Sequence, residues 1–491
     1  MKKITALLLG ITFCADLFGQ NKTASPLSAP RKIIANDREE GDNFGSSVAI
    51  YGDYAVVGAQ AKRKLINEIS LKEVGAAYVY KKGAKGNWDQ IQKLEAQEIK
   101  ADNYYGNSVA INDKYIVVGL NGDDNVEEPD PNIRMGLAHV YMLKGDKFVH
   151  IQKLEIRDRS KQDNYGYSIA MSERFIVAGC PGRNFKQTGN SQSSGAIYIY
   201  QVKPQGGWLP MQEIMGPEGC GLWFGQSVAV CGNNIVVSAE NSGQVYVYEL
   251  DKDRKWQLKG SLKPEDKNEV GFGGAVAINN TRIFVGADGD YDMFEGMERP
   301  KTDSVMQILN EEKDGSFSTL AVPNNAKLRD SFGIKPAQFA AMAKPVETLE
   351  MRKKKMLGAG NVYVYKRNDD GTFSFEEKLR GKEVVADDHF GNCISVSDSV
   401  ALFAAFGDKL TGKGIKNNFY SGAVYEFKLK NGKWTEEKKM MAPKRNVGDK
   451  FGFSIGAWNK EVIIGSRFEA ADANTKSPKK EAGAAYIYDL K

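Results

Sequence analysis

One short pattern recurs seven times along the chain, and it restricts the fold more than any other feature. An aromatic residue followed by Gly, then an alternation of small and branched residues, begins at Phe44, Tyr105, Tyr165, Phe224, Phe272, Phe390 and Phe451. The spacings are 61, 60, 59, 48, 118 and 61 residues. The first copy reads FGSSVAIYGDYAVVGA and the second YGNSVAINDKYIVVGL, a gapless match over sixteen positions. Each reads as two strands joined by a short polar turn. A Gly-led segment follows every copy, from GAAYVY at 75 to GAAYIY at 483, and its alternating Tyr and Val or Ile marks a third strand. An aromatic residue opens a fourth at Trp88, Phe148, Trp208, Trp256, Phe373 and Trp434. Strands this short cannot bury themselves alone, so the units must stack.

The expected fold is all-β: a seven-bladed β-propeller of four-stranded blades. At ~150 residues per domain, 491 residues would suggest about three domains, but the repeats argue for one ring. The seventh unit reaches only its third strand before Lys491, while RKIIANDREEGDNFG at 31 parallels QKLEAQEIKADNYYG before the second copy. Residues 31–36 are therefore expected to supply the missing strand and close the ring, leaving no open edge. Counting Phe44 as zero, positions three and five are small (Ser47, Ala49; Ser108, Ala110), while four and six are mostly Val, Ile or Met. The first strand of each blade should thus turn a small face to one neighbour and a large face to the other. Blade five carries an insertion, 287–359, whose later part reads as helical, with Pro336 and Pro345 at first turns. Phe332-Gly333 falls 60 residues after Phe272, but no second strand follows it, so the count stays at seven.

These residues resemble FG-GAP repeats, the units of the seven-bladed propeller of integrin alpha chains and many exported bacterial proteins. The resemblance spans about 31–491 apart from the insertion and rests on DNFG, SVAI, AVVGA and GAAYVY recurring in order. It implies extracellular ligand binding or adhesion, and in integrins some repeats hold calcium. The calcium loop does not carry over. That loop is Asp-rich and about nine residues long, between first and second strands; here the connection is a tight turn such as Tyr51-Gly52-Asp53-Tyr54. A Ca²⁺ ion needs six to eight oxygens, which such a turn cannot supply. The nearest acidic set, Asp288, Asp290 and Asp292, follows a second strand instead and reads either as a weak cation site or as a solvated loop. The run Asp123, Asp124, Glu127, Glu128 and Asp130 leaves the same two readings.

Residues 1–19 read as a signal peptide, with Lys2 and Lys3 ahead of an apolar stretch from Ile4 to Phe13, and 20–30 as a linker. The expectation is an exported protein, secreted, periplasmic or at a bacterial cell surface, with no transmembrane segment. Of the cysteines beyond the leader, Cys180 and Cys220 fall on one face and form a candidate disulfide, whereas Cys231 and Cys393 read as packed thiols. A near-balanced charge, 67 Lys and Arg against 62 Asp and Glu, argues against nucleic acid. The three histidines, His139, His150 and His389, are too scattered in sequence to suggest a metal centre.

Connections between second and third strands vary most in length: 59–74, 120–135, 180–194, 406–421 and 466–482, against 239–242 in blade four. Variable loops on a rigid frame are where binding concentrates. The sequence reading is a non-enzymatic propeller binding a protein or glycan there, with no catalytic residues and no cofactor. Two alternatives stay open: a polysaccharide-active enzyme, either glycosidase or lyase, and a structural subunit of an envelope complex. Asp387, Asp388 and His389 form the one polar cluster beside an aromatic–Gly pair. Their counterparts Asp42-Asn43, Asp102-Asn103 and Asp163-Asn164 suggest turn capping rather than chemistry.

Overall fold

A computed structural model describes residues 29–98, 100–122, 135–158, 160, 162–183, 194–217, 223–266, 269–289, 305–311, 317–323, 358–411, 414–415, 420–470 and 478–490. Seven four-stranded antiparallel sheets account for most of them. Blade one comprises Phe44–Tyr51, Tyr54–Ala59, Ala76–Lys82 and Trp88–Leu94, and the other blades repeat that order. Blade seven takes its fourth strand from the start of the chain: Arg31 pairs with Ile487, Lys32 with Tyr486 and Ile33 with Ala485. Blade seven's first strand packs against blade one's, which completes a ring of first strands. The expected all-β propeller and its closure are both present.

Aromatic side chains lock neighbouring blades together from the outside. The aromatic residue at the start of the fourth strand packs edge-on against the second strand of the preceding blade, as in Phe148 on Tyr54, Trp208 on Tyr115, Trp256 on Phe175 and Trp434 on Phe284. Glutamines in the fourth strands reinforce this by bonding both backbone groups of that aromatic residue. Gln92 Nε2 donates to Phe148 O (2.8 Å) while its Oε1 accepts from Phe148 N (2.9 Å). Gln152 treats Trp208 in the same way, and Gln212 treats Trp256.

Nearer the axis the contacts are backbone to backbone, which explains the recurrent Gly. Gly75, which opens a third strand, lies so close to Tyr105 of the next blade that an added Cβ would sit 2.2 Å from its carbonyl oxygen. Gly136, Gly195, Gly360, Gly422 and Gly483 repeat this approach, and all of them but Gly422 form a parallel bridge to the next aromatic–Gly pair. The small face of the first strand also does more than fill space. Ser47, Ser108 and Ser168 donate their hydroxyls at 2.7–2.8 Å to the carbonyl of the next blade's aromatic–Gly glycine.

The described part of the blade-five insertion is a hairpin, Val305–Glu311 with Phe317–Pro323. The segment expected to be helical lies outside the described residues. Among the described residues no helix is long and apolar enough to cross a membrane.

Candidate functional site

The connections from second to third strands and those between blades open on one face of the ring. Every blade arrives there through the same turn. The residue just before each aromatic–Gly pair is left-handed in all seven: Asn43, Tyr104, Asn164, Trp223, Gly271, His389 and Lys450, with φ between 50° and 75°. One residue earlier, a buried carboxylate holds the turn. Asp42, Asp163, Asp388 and Asp449 each accept the backbone N–H of the residue three positions back, at 2.7–2.8 Å. The capping role inferred for these acids is what the structure displays. In blade two the equivalent of Asp42 is Asn103, not Asp102, so the sequence pairing was one residue out of register there.

A carboxylate buried in this turn needs a counter-charge, and the blades meet that need differently. In blade one, Lys62 Nζ lies 3.0 Å from Asp42, and in blade three Arg183 Nη1 lies 2.8 Å from Asp163. In blades six and seven the same place in the second-to-third connection holds another acid, Asp408 or Glu469. Asp408 is paired with Lys439 at 2.6 Å and Arg445 at 2.8 Å, and Glu469 with Lys32 at 2.6 Å. Asp388 sits 4.0 Å from Lys409. Burial, reinforced by the charge of Asp408, pushes Asp388 up to about 7. Burial likewise pushes Asp449 up to about 6, with Glu469 adding to it.

Between blades four and five, where the second-to-third connection shrinks to the turn Glu240–Ser242, the face opens into a cleft of about 590 Å³. Its lining includes Glu240, Asn241, Lys263, Glu269 and Val270. Burial raises the Glu240 carboxyl, which accepts a hydrogen bond from Gln226. Glu269 is more firmly held, by Asn361 Nδ2 (2.6 Å), Tyr363 OH (2.5 Å) and Lys378 Nζ (2.6 Å). Smaller depressions of about 480 Å³ occur on the opposite face, among the short turns of blades four to five and seven to one.

Apolar exposure is concentrated on the loop-bearing face. Among the described residues ten large apolar side chains are exposed, and five belong to it: Leu65, Ile69, Trp223, Val270 and Val447. Leu65 and Ile69, 70% and 65% exposed, sit on a small hairpin, Lys64–Ile66 with Ile69–Leu71, raised from blade one.

The residues singled out from sequence fare unevenly. Asp288 is buried at the end of a second strand, while Asp290 and Asp292 lie outside the described residues, as does the acidic run at 123–130. Among the described residues no three metal-ligating side chains converge. Cys180 is a buried free thiol donating to Asp163 O at 3.1 Å, and Cys220 lies outside the described residues. The histidines are less scattered than their numbering suggests. His139 Nδ1 and His150 Nε2 meet at 3.0 Å across two strands of blade two. The acid pairs of blades six and seven and the Glu240 cleft were not anticipated. The only signal for them was departure from the repeat at fixed positions.

Similar proteins place this architecture in a family. The FG-GAP repeat family matches residues 28–80, 88–141, 148–200 and 434–488. Each match covers a fourth strand followed by three strands of the next blade, so the sequence unit is offset by one strand from the structural one. No curated protein matches the chain. Similar solved structures include a periplasmic gluconolactonase of Pseudomonas aeruginosa, 11% identical, covering 85% of this chain and 86% of that one, with a TM-score of 0.40. A Bacteroides uniformis protein provisionally assigned as a 6-phosphogluconolactonase is 10% identical, with coverages of 82% and 86% and a TM-score of 0.43. A functionally unknown protein of Desulfotomaculum acetoxidans is 11% identical, with coverages of 85% and 92% and a TM-score of 0.43.

The expectation that the chain is not an enzyme is corrected by these names, since enzyme names occur among the similar structures. At such identity and score they assign no activity to this chain. The physical reason the sequence misled is that catalytic groups on a propeller need no linear motif. Buried carboxylates with raised pKa, such as Glu240 and Asp388, become visible only in three dimensions. With four repeats matched and seven four-stranded blades closed into a ring, the chain is an FG-GAP seven-bladed β-propeller.

Proposed function

We propose that this propeller is an exported ligand-binding protein that holds a protein or glycan on its loop-bearing face. The observation that carries the reading is that five of the ten large apolar side chains exposed among the described residues lie on that face, one of them, Val270, lining its cleft of about 590 Å³. Apolar surface left in water costs roughly 25 cal/mol per Å², so a raised tip such as Leu65 and Ile69 suits a surface that is covered part of the time. The opposite face is built from short, uniform turns, and among the described residues the one large apolar side chain it exposes is Trp458, which stacks on Tyr51 with ring centroids 3.8 Å apart. Export rests on the leader-like start of the sequence.

The test is a glycan array and a pull-down from culture fluid with the chain from residue 20, repeated after 120–135 and 406–421 are each replaced by short turns. A ligand lost with either replacement, while the melting temperature holds, supports the reading. A ligand retained by both would place binding elsewhere.

A further inference from the structure

Backbone contacts close every blade junction except the one between blades four and five. At five junctions the aromatic amide donates to the residue before the Gly that opens the preceding blade's third strand. These bonds are Tyr105 N to Val74 O (3.1 Å), Tyr165 N to Met135 O (3.0 Å), Phe390 N to Ala359 O (2.9 Å), Phe451 N to Ser421 O (3.1 Å) and Phe44 N to Ala482 O (3.0 Å). At a sixth, Gly195 bridges to Phe224. Between blades four and five the same places hold Ser242, Gly243 and Phe272. There no bond joins Phe272 N to Ser242 O, and a Cβ on Gly243 would meet nothing within 4 Å. Two departures from the repeat account for the gap. The second-to-third connection is only the turn Glu240–Ser242, and the turn entering blade five carries Val270-Gly271 where blade one has Asp42-Asn43. With no buried acid to neutralise, no cation is drawn across the junction, and Val270 is 52% exposed where Asp42 is 1%. Gly271 leans on its own blade instead, where a Cβ would lie 2.8 Å from Gly289 O. Deeper in, the blades still meet, since a Cβ on Gly273 would lie 3.3 Å from Ser238 Cβ. The gap is therefore a wedge that widens into the cleft of about 590 Å³.

We propose that this open junction is the recognition site for an extended peptide segment of a partner protein. This rests on the reading of the loop-bearing face as the binding face and narrows its ligand to protein. One wall of the wedge carries the Phe272 amide and the other the Ser242 carbonyl, each without the partner that its position has at the five bonded junctions. Backbone groups are obligatory hydrogen-bonding groups, and an extended peptide supplies a carbonyl for one wall and an N–H for the other. Side chains of the lining add selectivity. Exposed Val270 suits an apolar side chain, and exposed Lys263, which makes no ion pair among the described residues, suits an acidic one. A glycan fits less well. The one aromatic side chain of the lining, Phe272, is 1% exposed, so no ring face is offered to a pyranose.

The probe is a phage-displayed library of random linear dodecapeptides, selected on the chain from residue 20, with the enriched peptides then synthesised for calorimetry. Enriched peptides are expected to carry an apolar and an acidic residue. V270W, which fills the cleft from an exposed position, should weaken them at least tenfold without changing the melting temperature by more than a few degrees. K263E serves as a second variant if V270W fails to fold. N-methylation of the peptide amide that faces Ser242 should also weaken binding at least tenfold, an effect that recognition through side chains alone would not produce at every enriched sequence. Failure to enrich any peptide, or peptides bound equally by V270W and K263E, overturns the proposal. Peptides that tolerate N-methylation at each position in turn overturn the backbone recognition. If these fail while loop replacement still abolishes an array or culture-fluid ligand, the binding face stands and only the peptide site falls.

Discussion

Ser454 donates its hydroxyl to the carbonyl of Gly45 at 2.8 Å, joining blade seven to blade one across 409 residues of chain. The contact repeats, at the seam, the bond that joins blades one to two, two to three and three to four. Gly45 itself has φ of 90°, and a Cβ there would lie 2.5 Å from Ala484 O. Gly45→Ala should therefore destabilise by more than about 3 kcal/mol, since backbone strain and a clash with backbone add. Ser454→Ala should cost about 1–2 kcal/mol, for one buried bond and its stranded acceptor. Urea unfolding measures both, and equal effects would contradict the geometry.

The glutamine bridges make a second, separable claim. Gln152→Leu keeps the side-chain bulk but removes both bonds to Trp208. A loss of about 1–2 kcal/mol is expected, because two backbone groups at the blade junction lose their partner. A neutral outcome would mean that water replaces the amide there.

Blade three offers a test of buried charge. Arg183→Met removes the guanidinium 2.8 Å from Asp163, whose side chain is fully buried. Breaking such a pair from one side typically costs 3–5 kcal/mol. Adding Asp163→Asn should recover part of it, because Asn can still accept the N–H of Ser160.

The raised carboxylates set a pH dependence whose sign follows from linkage. Asp388 holds its proton more tightly in the folded chain, at about 7, than at its ordinary value of 3.8. Between those values the folded state binds more protons than the unfolded, so stability falls as pH rises through the window. Its contribution is complete below about pH 4 and lost above about pH 7. Asp388→Asn, which keeps an acceptor for Val385 N–H, should leave stability near pH 4 almost unchanged. Near pH 8 it should raise stability by roughly 2 kcal/mol, at about 1.4 kcal/mol per pKa unit and allowing for relaxation around Asp408, Lys409 and Lys439. Chemical unfolding at both pH values decides it, and a gain at the lower pH alone would reverse the assignment.

The ring was legible in the sequence because its constraints are periodic. Phe44-Gly45 and Gly75 recur since backbones touch at the same place at six of the seven blade junctions, and RKI at 31 betrayed the seam because it copies QKL at 92. The face chemistry was much less legible. Asp388 looks like Asp42 in sequence, yet one faces Asp408 and the other Lys62, and the difference lies twenty residues away. Lys450 and Phe406 stand 44 positions apart and meet only because the turn entering blade seven packs against the second-to-third connection of blade six.

The central claim is that the loop-bearing face binds the ligand. The most direct measurement compares affinity for the same array or culture-fluid ligand between L65D/I69D and K460E. The first pair changes the exposed hairpin tip of blade one, and the second changes an exposed turn on the opposite face. A loss of at least ~10-fold with L65D/I69D, about 1.4 kcal/mol, and none with K460E is the predicted result. Affinity unchanged by L65D/I69D but lost with K460E would contradict it.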